Sequence, residues 1–214
     1  ELTLVNDITH VNIIDSSSVV LDAFTKTSHV GAKYFINVKN QSTGETSNIE
    51  ALITHDNTTG YVISYNEHFS GNNSLITLTA DISGNTLSLR GSATAGGSTK
   101  VIVHRVVAFG DSESDDANSD STRKVIGNIV TSSTATEFDT FQSSDTDAVH
   151  YVITGQGGTN ENYICEADVV TDGTGVFVSQ GPSISTKTGE VELLIISATI
   201  SGGIVSVKAA STSG

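Results

Sequence analysis

Apolar and polar residues alternate along much of the chain with a period of two. Between residues 76 and 82, isoleucine, leucine and alanine take every second position, and Thr77, Thr79 and Asp81 separate them. This is the period of a β-strand with one buried face. No segment of ten residues keeps an apolar stripe of helical period. Similar runs rich in Val, Ile, Thr and Tyr, bounded by Gly and Asn turns, predict strands at 33–38, 49–55, 61–65, 75–82, 86–90 and 100–107.

The same pattern occurs twice, which indicates two copies of one module. Tyr34-Phe35-Ile36 returns as Tyr151-Val152-Ile153, and the sequence ADISG at 80–84 returns as ATISG at 198–202. A Ser-rich acidic run separates the copies and is typical of a solvated linker. The predicted fold is all-β, with two tandem antiparallel β-sandwich or jelly-roll-like modules. The predicted divisions are an N-terminal arm at 1–10, module 1 at 11–108, an acidic linker at 109–126 and module 2 at 127–214.

Module 2 is predicted to lack its last strand. Module 1 continues past Arg90 into the strand at 100–107, whereas module 2 has no comparable run before Gly214. The arm carries a spare apolar segment with Leu2, Leu4 and Val5. One hypothesis is that the arm of a neighbouring subunit completes the second sheet by strand addition, so these three residues are the candidate interface. The alternative is that module 2 folds with fewer strands.

Charge narrows the range of partners. The chain has 24 acidic and 10 basic residues, a net charge of −14, and only 16% charged residues. Neither a nucleic acid nor an anionic membrane surface attracts such a protein, and no apolar run reaches the length of a membrane helix. Ser and Thr supply much of the remaining polarity, a composition that suits a salt-rich extracellular setting. We therefore expect homo-oligomers or contacts with other particle proteins through strand edges.

From the cysteine, the acidic residues and the histidines we expect no metal site and no cofactor site. The single cysteine, Cys165, excludes a disulfide within the chain and is interpreted as a packing thiol. The acidic linker lacks the glycine and the final glutamate of an EF-hand loop, so a solvated segment is favoured over a Ca²⁺ site. None of the six histidines stands at metal-ligand spacing from another; they are His10, His29, His55, His68, His104 and His150.

One motif invites an enzymatic interpretation. Gly110-Asp111-Ser112 resembles the first block of the GDSL esterases, in which the serine is the nucleophile. Asp147 and His150, together with the segment 158–161, imitate the later blocks of that family, but in the wrong order. That family is also α/β, and no helical pattern follows Ser112. A glycosidase is disfavoured because the chain has no Trp and few aromatic residues. We expect no enzymatic activity and no catalytic residue, and a GDSL-like esterase stays a remote alternative.

Several of the strand segments resemble a module of known phage proteins. The segments are 32–38, 49–56, 58–65, 80–84 and 100–105. Together they are similar to a tandem β-module of virion structural proteins of tailed phages, especially those of marine cyanobacteria. The resemblance implies a non-enzymatic, extracellular particle component, with a capsid decoration (cement) or fibre-like role. Module 2 departs from it, since Thr171 replaces the histidine before the turn aspartate. The alternative function is an extracellular adhesin or filament subunit that binds carbohydrate or a host surface.

Overall fold

A computed structural model describes residues 8–94, 98–108, 133–157, 161–187 and 193–212. Side chains are described from Ile14 in the first strand and up to Arg105 in the eighth. The predicted acidic linker and the arm residues Leu2, Leu4 and Val5 lie outside these ranges. Fourteen strands and no helix occupy the described residues. They are β1 (Ile8–Ile14), β2 (Val19–Thr25), β3 (Gly31–Asn40), β4 (Thr46–His55), β5 (Gly60–Phe69), β6 (Ile76–Ser83), β7 (Thr86–Ala93), β8 (Thr99–Ala108), β9 (Thr136–Gln142), β10 (Ala148–Gln156), β11 (Asn162–Thr171), β12 (Val176–Ser185), β13 (Leu194–Ser201) and β14 (Ile204–Ser211).

The first eight strands form a two-sheet sandwich. One sheet has the order β1-β8-β3-β4-β5 and the other β2-β7-β6, and every pairing is antiparallel. Strands β1, β8 and β3 lie side by side while β2 pairs with β7, as in a jelly roll. This sandwich differs from a jelly roll in that β4 and β5 follow β3 in the same sheet as a meander. The predicted all-β antiparallel sandwich class is therefore confirmed.

The last six strands form a second, smaller sandwich from sheets β10-β11-β12 and β13-β14-β9. These sheets correspond to β3-β4-β5 and β6-β7-β2 of the first sandwich. Each sandwich has its own apolar core: Tyr34, Leu87 and Val103 are fully buried in the first, and Val169 and Val207 in the second. The inward residues alternate with exposed ones, as the period of two requires.

The structure extends several of the strands predicted for module 1 and adds two strands to that module, β1 and β2. Strand β1 begins at Ile8, so residues 8–10, assigned to the arm from sequence, instead pair with β8. Strand β2 had no sequence signal, because the buried Asp22 interrupts its apolar face. Strand β5 runs on past Tyr65 to Phe69 across a bulge opposite β4. A bulge shifts the alternation by one residue, which hides the continuation from a search for strict period two.

Candidate assembly site

The two sandwiches pack against each other through the outer faces of the β3-β4-β5 and β10-β11-β12 sheets. Leu52 of β4, Ile164 of β11 and Ile184 of β12 form one buried apolar cluster across this junction. Four half-buried side chains pack around the cluster: Tyr61, Ile63, Tyr65 and Val152. The β3-β4-β5 and β10-β11-β12 sheets are thus covered by their own sandwich on one face and in part by the other module on the outer face. Burial of this kind removes apolar surface from water and stabilises the junction.

A buried ionic cluster lies beside the apolar contacts of the junction. The Lys33 ammonium is 2.7 Å from a carboxylate oxygen of Glu50 and 2.7 Å from one of Glu166. The Tyr65 hydroxyl donates a short hydrogen bond to Glu166. Lys33 and Glu166 are almost completely buried, and the Glu50 side chain is 24% exposed. While the junction stays closed, a shift of one sandwich that parts Lys33 from Glu166 would leave a buried charge uncompensated, so the pair favours one relative position of the two sandwiches.

The basic and acidic side chains of the ionic cluster occupy positions that repeat between the two modules. Lys33 on β3 corresponds to His150 on β10, and Glu50 on β4 corresponds to Glu166 on β11. His150 lies 3.6 Å from Glu166 and 2.8 Å from Asp168. Each module therefore contributes one basic and one acidic side chain from equivalent positions. The contacts themselves are not reciprocal, because Lys33 reaches Glu166 of the other module, whereas His150 contacts Glu166 and Asp168 of its own module.

The surroundings shift the pKa values of two groups at the junction. Burial raises the pKa of the Tyr65 hydroxyl, and its hydrogen bond to the Glu166 carboxylate raises it further. Partial burial acts to raise the pKa of Glu50, but hydrogen bonds from Lys33 and Asn66 outweigh it and hold that pKa below its usual value. The carboxylate of Glu50 is thus kept ionised and Tyr65 is kept protonated.

Each sandwich core contains the same buried tyrosine–aspartate pair. The Tyr34 hydroxyl donates to Asp22 at 2.9 Å in module 1, and the Tyr151 hydroxyl donates to Asp139 at 2.9 Å in module 2. In module 1, Arg105 of β8 adds an ion pair to Asp22 at 2.9 Å. Burial raises the pKa of Tyr34 and Tyr151, and the neighbouring carboxylate adds to this effect. The pair joins the two sheets of each sandwich at equivalent places.

The two modules differ at the outer edge of the strand that carries the buried tyrosine, which is β3 in module 1 and β10 in module 2. In module 1, β8 pairs with β3 along its whole length, placing Val101 opposite Val38, Val103 opposite Ile36 and Arg105 opposite Tyr34. In module 2, β10 pairs with β11 on one side, and no strand of the described residues pairs with its other side. An unpaired strand presents backbone N–H and C=O groups that favour pairing with another strand. This edge of β10 is the candidate assembly site.

Only some of the residues singled out for chemistry lie in the described ranges. His150 lies on β10 beside Glu166 and Asp168, while Ser112 and residues 158–160 are outside the described ranges. Cys165 is fully buried in β11 in a cluster with Tyr163. Within the described part of the chain, no three His, Cys, Asp or Glu side chains could hold a metal ion together. No helix there is long and apolar enough to span a membrane.

Three comparisons with known proteins were made, against family models, curated proteins and solved structures. No family model matches the chain, and no curated protein matches it. A solved structure that matches is the tailspike protein gp49 from Acinetobacter baumannii bacteriophage Fri1, a capsular polysaccharide depolymerase. The match covers 47% of this chain and 19% of that chain, at 18% identity and a TM-score of 0.26. At this level the likeness carries no argument about function.

Proposed function

We propose that this chain is a non-enzymatic structural component of an extracellular particle, and that it assembles by strand addition at the edge of β10. The sequence resemblance to tailed-phage virion modules supports a virion setting, in a capsid-decoration or fibre-like role. The observation that carries the proposal is the difference between β3, whose outer edge is paired with β8, and β10, whose outer edge has no partner among the described residues.

Module 1 provides the template for the added strand. Because β10 corresponds to β3, the incoming strand runs antiparallel to β10 and places inward side chains opposite Gly155, Ile153 and Tyr151. The equivalent side chains of β8 are Val101, Val103 and Arg105, all buried. The strand needed is therefore about five residues or longer, with two apolar side chains at alternate positions followed by a polar one.

The arm of a second copy has this pattern. Leu2 and Leu4 alternate as Val101 and Val103 do, and Asn6 follows at the place of Arg105. At the position opposite Leu2, module 2 has Gly155 where module 1 has Val38, and the Leu194 side chain packs over Gly155. Val5 lies on the opposite face of the added strand. Strand addition of this type combines main-chain hydrogen bonds with side-chain packing, so a short arm suffices to join subunits.

The junction between the sandwiches suits a structural role. The buried contact of Lys33 with Glu166 and the apolar cluster of Leu52, Ile164 and Ile184 join the two modules as one unit. A rigid unit transmits the position of one contact to the next, which repeated packing requires. The net charge of −14 keeps free subunits apart at low salt, and salt screening weakens that repulsion. We therefore expect assembly to strengthen as ionic strength rises.

The proposal is tested by light scattering coupled to size-exclusion chromatography over a range of protein and salt concentrations. The full chain is compared with a variant lacking residues 1–7 and with the double substitution Leu2→Ser, Leu4→Ser. Thr3→Ser is the matched control, because that side chain is not one of the two inward apolar positions. The full chain and the control are expected to form oligomers, and the other two variants to be monomers.

Two results would overturn strand exchange. One is a full chain that stays monomeric at every concentration and salt level tested. The other is an oligomer of unchanged mass after residues 1–7 are removed. A synthetic peptide of residues 1–7 gives an independent measurement, since it is expected to dissociate the oligomer of the full chain by competing for β10.

A further inference from the structure

A groove lies on the outer face of the module 1 sheet, beyond the area that module 2 covers. It has a volume of about 500 Å³ and crosses strands β3, β4 and β5. Eight residues line it: the core residues Ile36 and Ile49, and six that are at least partly exposed, namely Phe35, Asn37, Asn48, Glu50, Asn66 and His68. Its size falls within the range of small-ligand sites, roughly 300–1,000 Å³. The groove is separate from the edge of β10 and has no part in the proposed assembly.

The strand register places the polar side chains of the groove in a row. Asn37 of β3 stands opposite Asn48 of β4, and Asn48 stands opposite His68 of β5. Neighbouring Cβ atoms in such a row are about 5 Å apart. Asn37 and Asn48 are exposed, and no hydrogen bond within the described part of the chain uses their side-chain amides. Each amide has two donors and one acceptor oxygen, so both remain available to a ligand.

A backbone irregularity brings a third amide to the same place. Asn66 has a φ of 47°, in the left-handed region that non-glycine residues seldom occupy. It lies where the pairing of β4 with β5 shifts between Asn48 and Glu50. Its amide nitrogen donates to the Glu50 carboxylate at 3.1 Å. Bulges that re-aim a side chain are common beside functional sites, and this one turns Asn66 toward the groove.

The charges around the groove favour an uncharged ligand. The Glu50 carboxylate is already paired with Lys33. The chain as a whole carries −14, which opposes binding of anions. The Lys33 ammonium also lies 4.7 Å from the centre of the Phe35 ring, whose side chain is 40% exposed. The Lys33 ammonium thus already pairs with the Glu50 carboxylate. The groups that the groove offers to a ligand are the amides and the Phe35 ring.

We infer that this groove binds a neutral saccharide. A sugar ring presents C–H groups on one face and hydroxyl groups around its rim. The Phe35 ring packs against the C–H face, while the amides of Asn37 and Asn48 donate to and accept from hydroxyl oxygens. Asn66 and His68 extend the polar row on the side of β5. The role goes beyond assembly, because it places recognition on the particle component itself.

The equivalent face of module 2 has lost this chemistry. The positions of Phe35, Asn37 and Asn48 are taken there by Val152, Thr154 and Ile164. Val152 and Ile164 pack against module 1 in the junction. The same face thus serves as a packing surface in one copy, while part of it carries exposed amides in the other. The contrast argues that the amide row is a property of module 1 alone rather than of the repeated fold.

The inference is tested by following backbone amide signals of the full chain by NMR during titration with neutral trisaccharides. The probes are the gluco-, manno- and galacto-configured trisaccharides, each to high millimolar concentration. Signals at 35–37, 48–50 and 66–68 are expected to shift for at least one probe. Phe35→Ala and Asn48→Ala are each expected to weaken binding about tenfold, which corresponds to a loss of roughly 1.4 kcal/mol. Phe177→Ala is the matched control, since Phe177 is 68% exposed on module 2.

The inference is overturned if none of the probes shifts the groove signals. It is equally overturned if shifts occur but persist unchanged in both Phe35→Ala and Asn48→Ala. Folding of each variant is checked by the dispersion of its spectrum, which exposed substitutions leave unaltered. Binding measured in the variant lacking residues 1–7 is expected to equal that of the full chain. Saccharide binding and assembly can therefore fail independently.

Discussion

The two modules share a fold and a buried tyrosine–aspartate pair, but they differ in the strands at the edge of the sheet that carries the tyrosine. Both contain the buried tyrosine–aspartate pair, Tyr34 with Asp22 and Tyr151 with Asp139, at the same distance. Module 1 adds β1 and β8 to the sheet that carries its tyrosine, and Arg105 of β8 reaches Asp22. In module 2, the described residues leave the corresponding edge of β10 unpaired. The comparison shows that the same tyrosine–aspartate core occurs both with and without a described strand at this edge.

The largest effect is expected from removing the shared cation at the junction. Lys33→Ala leaves the carboxylates of Glu50 and Glu166 facing each other in a mostly buried site. Losing one partner of a buried ion pair costs about 3–5 kcal/mol. The free energy of unfolding, measured with urea, is expected to fall by that amount. Arg90→Ala is the control, because its ion pair with Asp81 and its hydrogen bonds to Ser18 lie at the surface and should together contribute less than the buried cluster does. Similar losses for the two variants would contradict a structural role for the junction cluster.

The next largest loss of stability is expected from the buried tyrosine–aspartate pairs, and it should differ between the two modules. Asp22→Asn leaves the buried Arg105 guanidinium without its carboxylate, so we expect a loss of about 3 kcal/mol. Tyr151→Phe removes one buried hydroxyl from module 2, and a loss of about 1 kcal/mol is expected. Urea unfolding of both variants measures the difference. Equal losses would mean that Arg105 does not add to the stability of module 1.

High pH is expected to weaken both modules. The folded-state pKa values of Tyr34 and Tyr151 are raised, chiefly by burial. Groups of this kind contribute stability that is fully present below the unfolded-state pKa of about 10 and is lost as the pH rises above it. The free energy of unfolding is expected to be level from about pH 7 to 9. Above about pH 10 it should fall by up to about 1.4 kcal/mol per pH unit for each such tyrosine. Tyr151→Phe should make the fall shallower, and an unchanged slope would contradict this account.

The smallest effects are expected at a turn that both modules contain. The position with positive φ is Asn57 in module 1 and Gly173 in module 2, with φ of 73° and 85°. Glycine adopts this conformation without strain, so Asn57→Gly should change stability by less than about 1 kcal/mol, whereas Gly173→Val should destabilise the protein. Thermal unfolding measures both, and a stabilising Gly173→Val would be inconsistent with the turn as described.

The carboxyl groups of the two turn aspartates, Asp56 and Asp172, are expected to titrate at similarly low pH. Partial burial opposes ionisation of Asp56, but hydrogen bonds from Thr58 and Thr59 dominate and lower its pKa to about 2. The backbone N–H groups of Gly175 and Thr174 lower the pKa of Asp172 to about 2. The stability each contributes is present above the unfolded-state pKa of about 3.9 and is lost as the pH falls toward 2. NMR titration of the two carboxyl groups is expected to give matching midpoints, and a midpoint near 4 for either would show that its hydrogen bonds are absent in solution.

The sequence pattern predicts the fold better than it predicts the sites. Alternation and Gly or Asn turns are local, so the meander strands β3 to β7 are foreseen with small errors at their ends. The junction is not foreseen, because Lys33, Glu50 and Glu166 are residue types that normally lie in solvent. Their contact depends on how two distant sheets face each other. A usable signal exists in the repeat itself, since basic residues recur at equivalent positions in Lys33 and His150, and acidic residues recur in Glu50 and Glu166.

Hydrogen exchange at β10 and β3 tests the central claim most directly. The two strands are equivalent, so any difference in protection reports what lies at their outer edges. In the variant lacking residues 1–7, edge amides of β10 are expected to exchange rapidly while those of β3, covered by β8, stay protected. In the full chain, protection of β10 should rise with protein concentration until it approaches that of β3. Protection of β10 that is high and independent of both concentration and the arm would contradict assembly by strand addition.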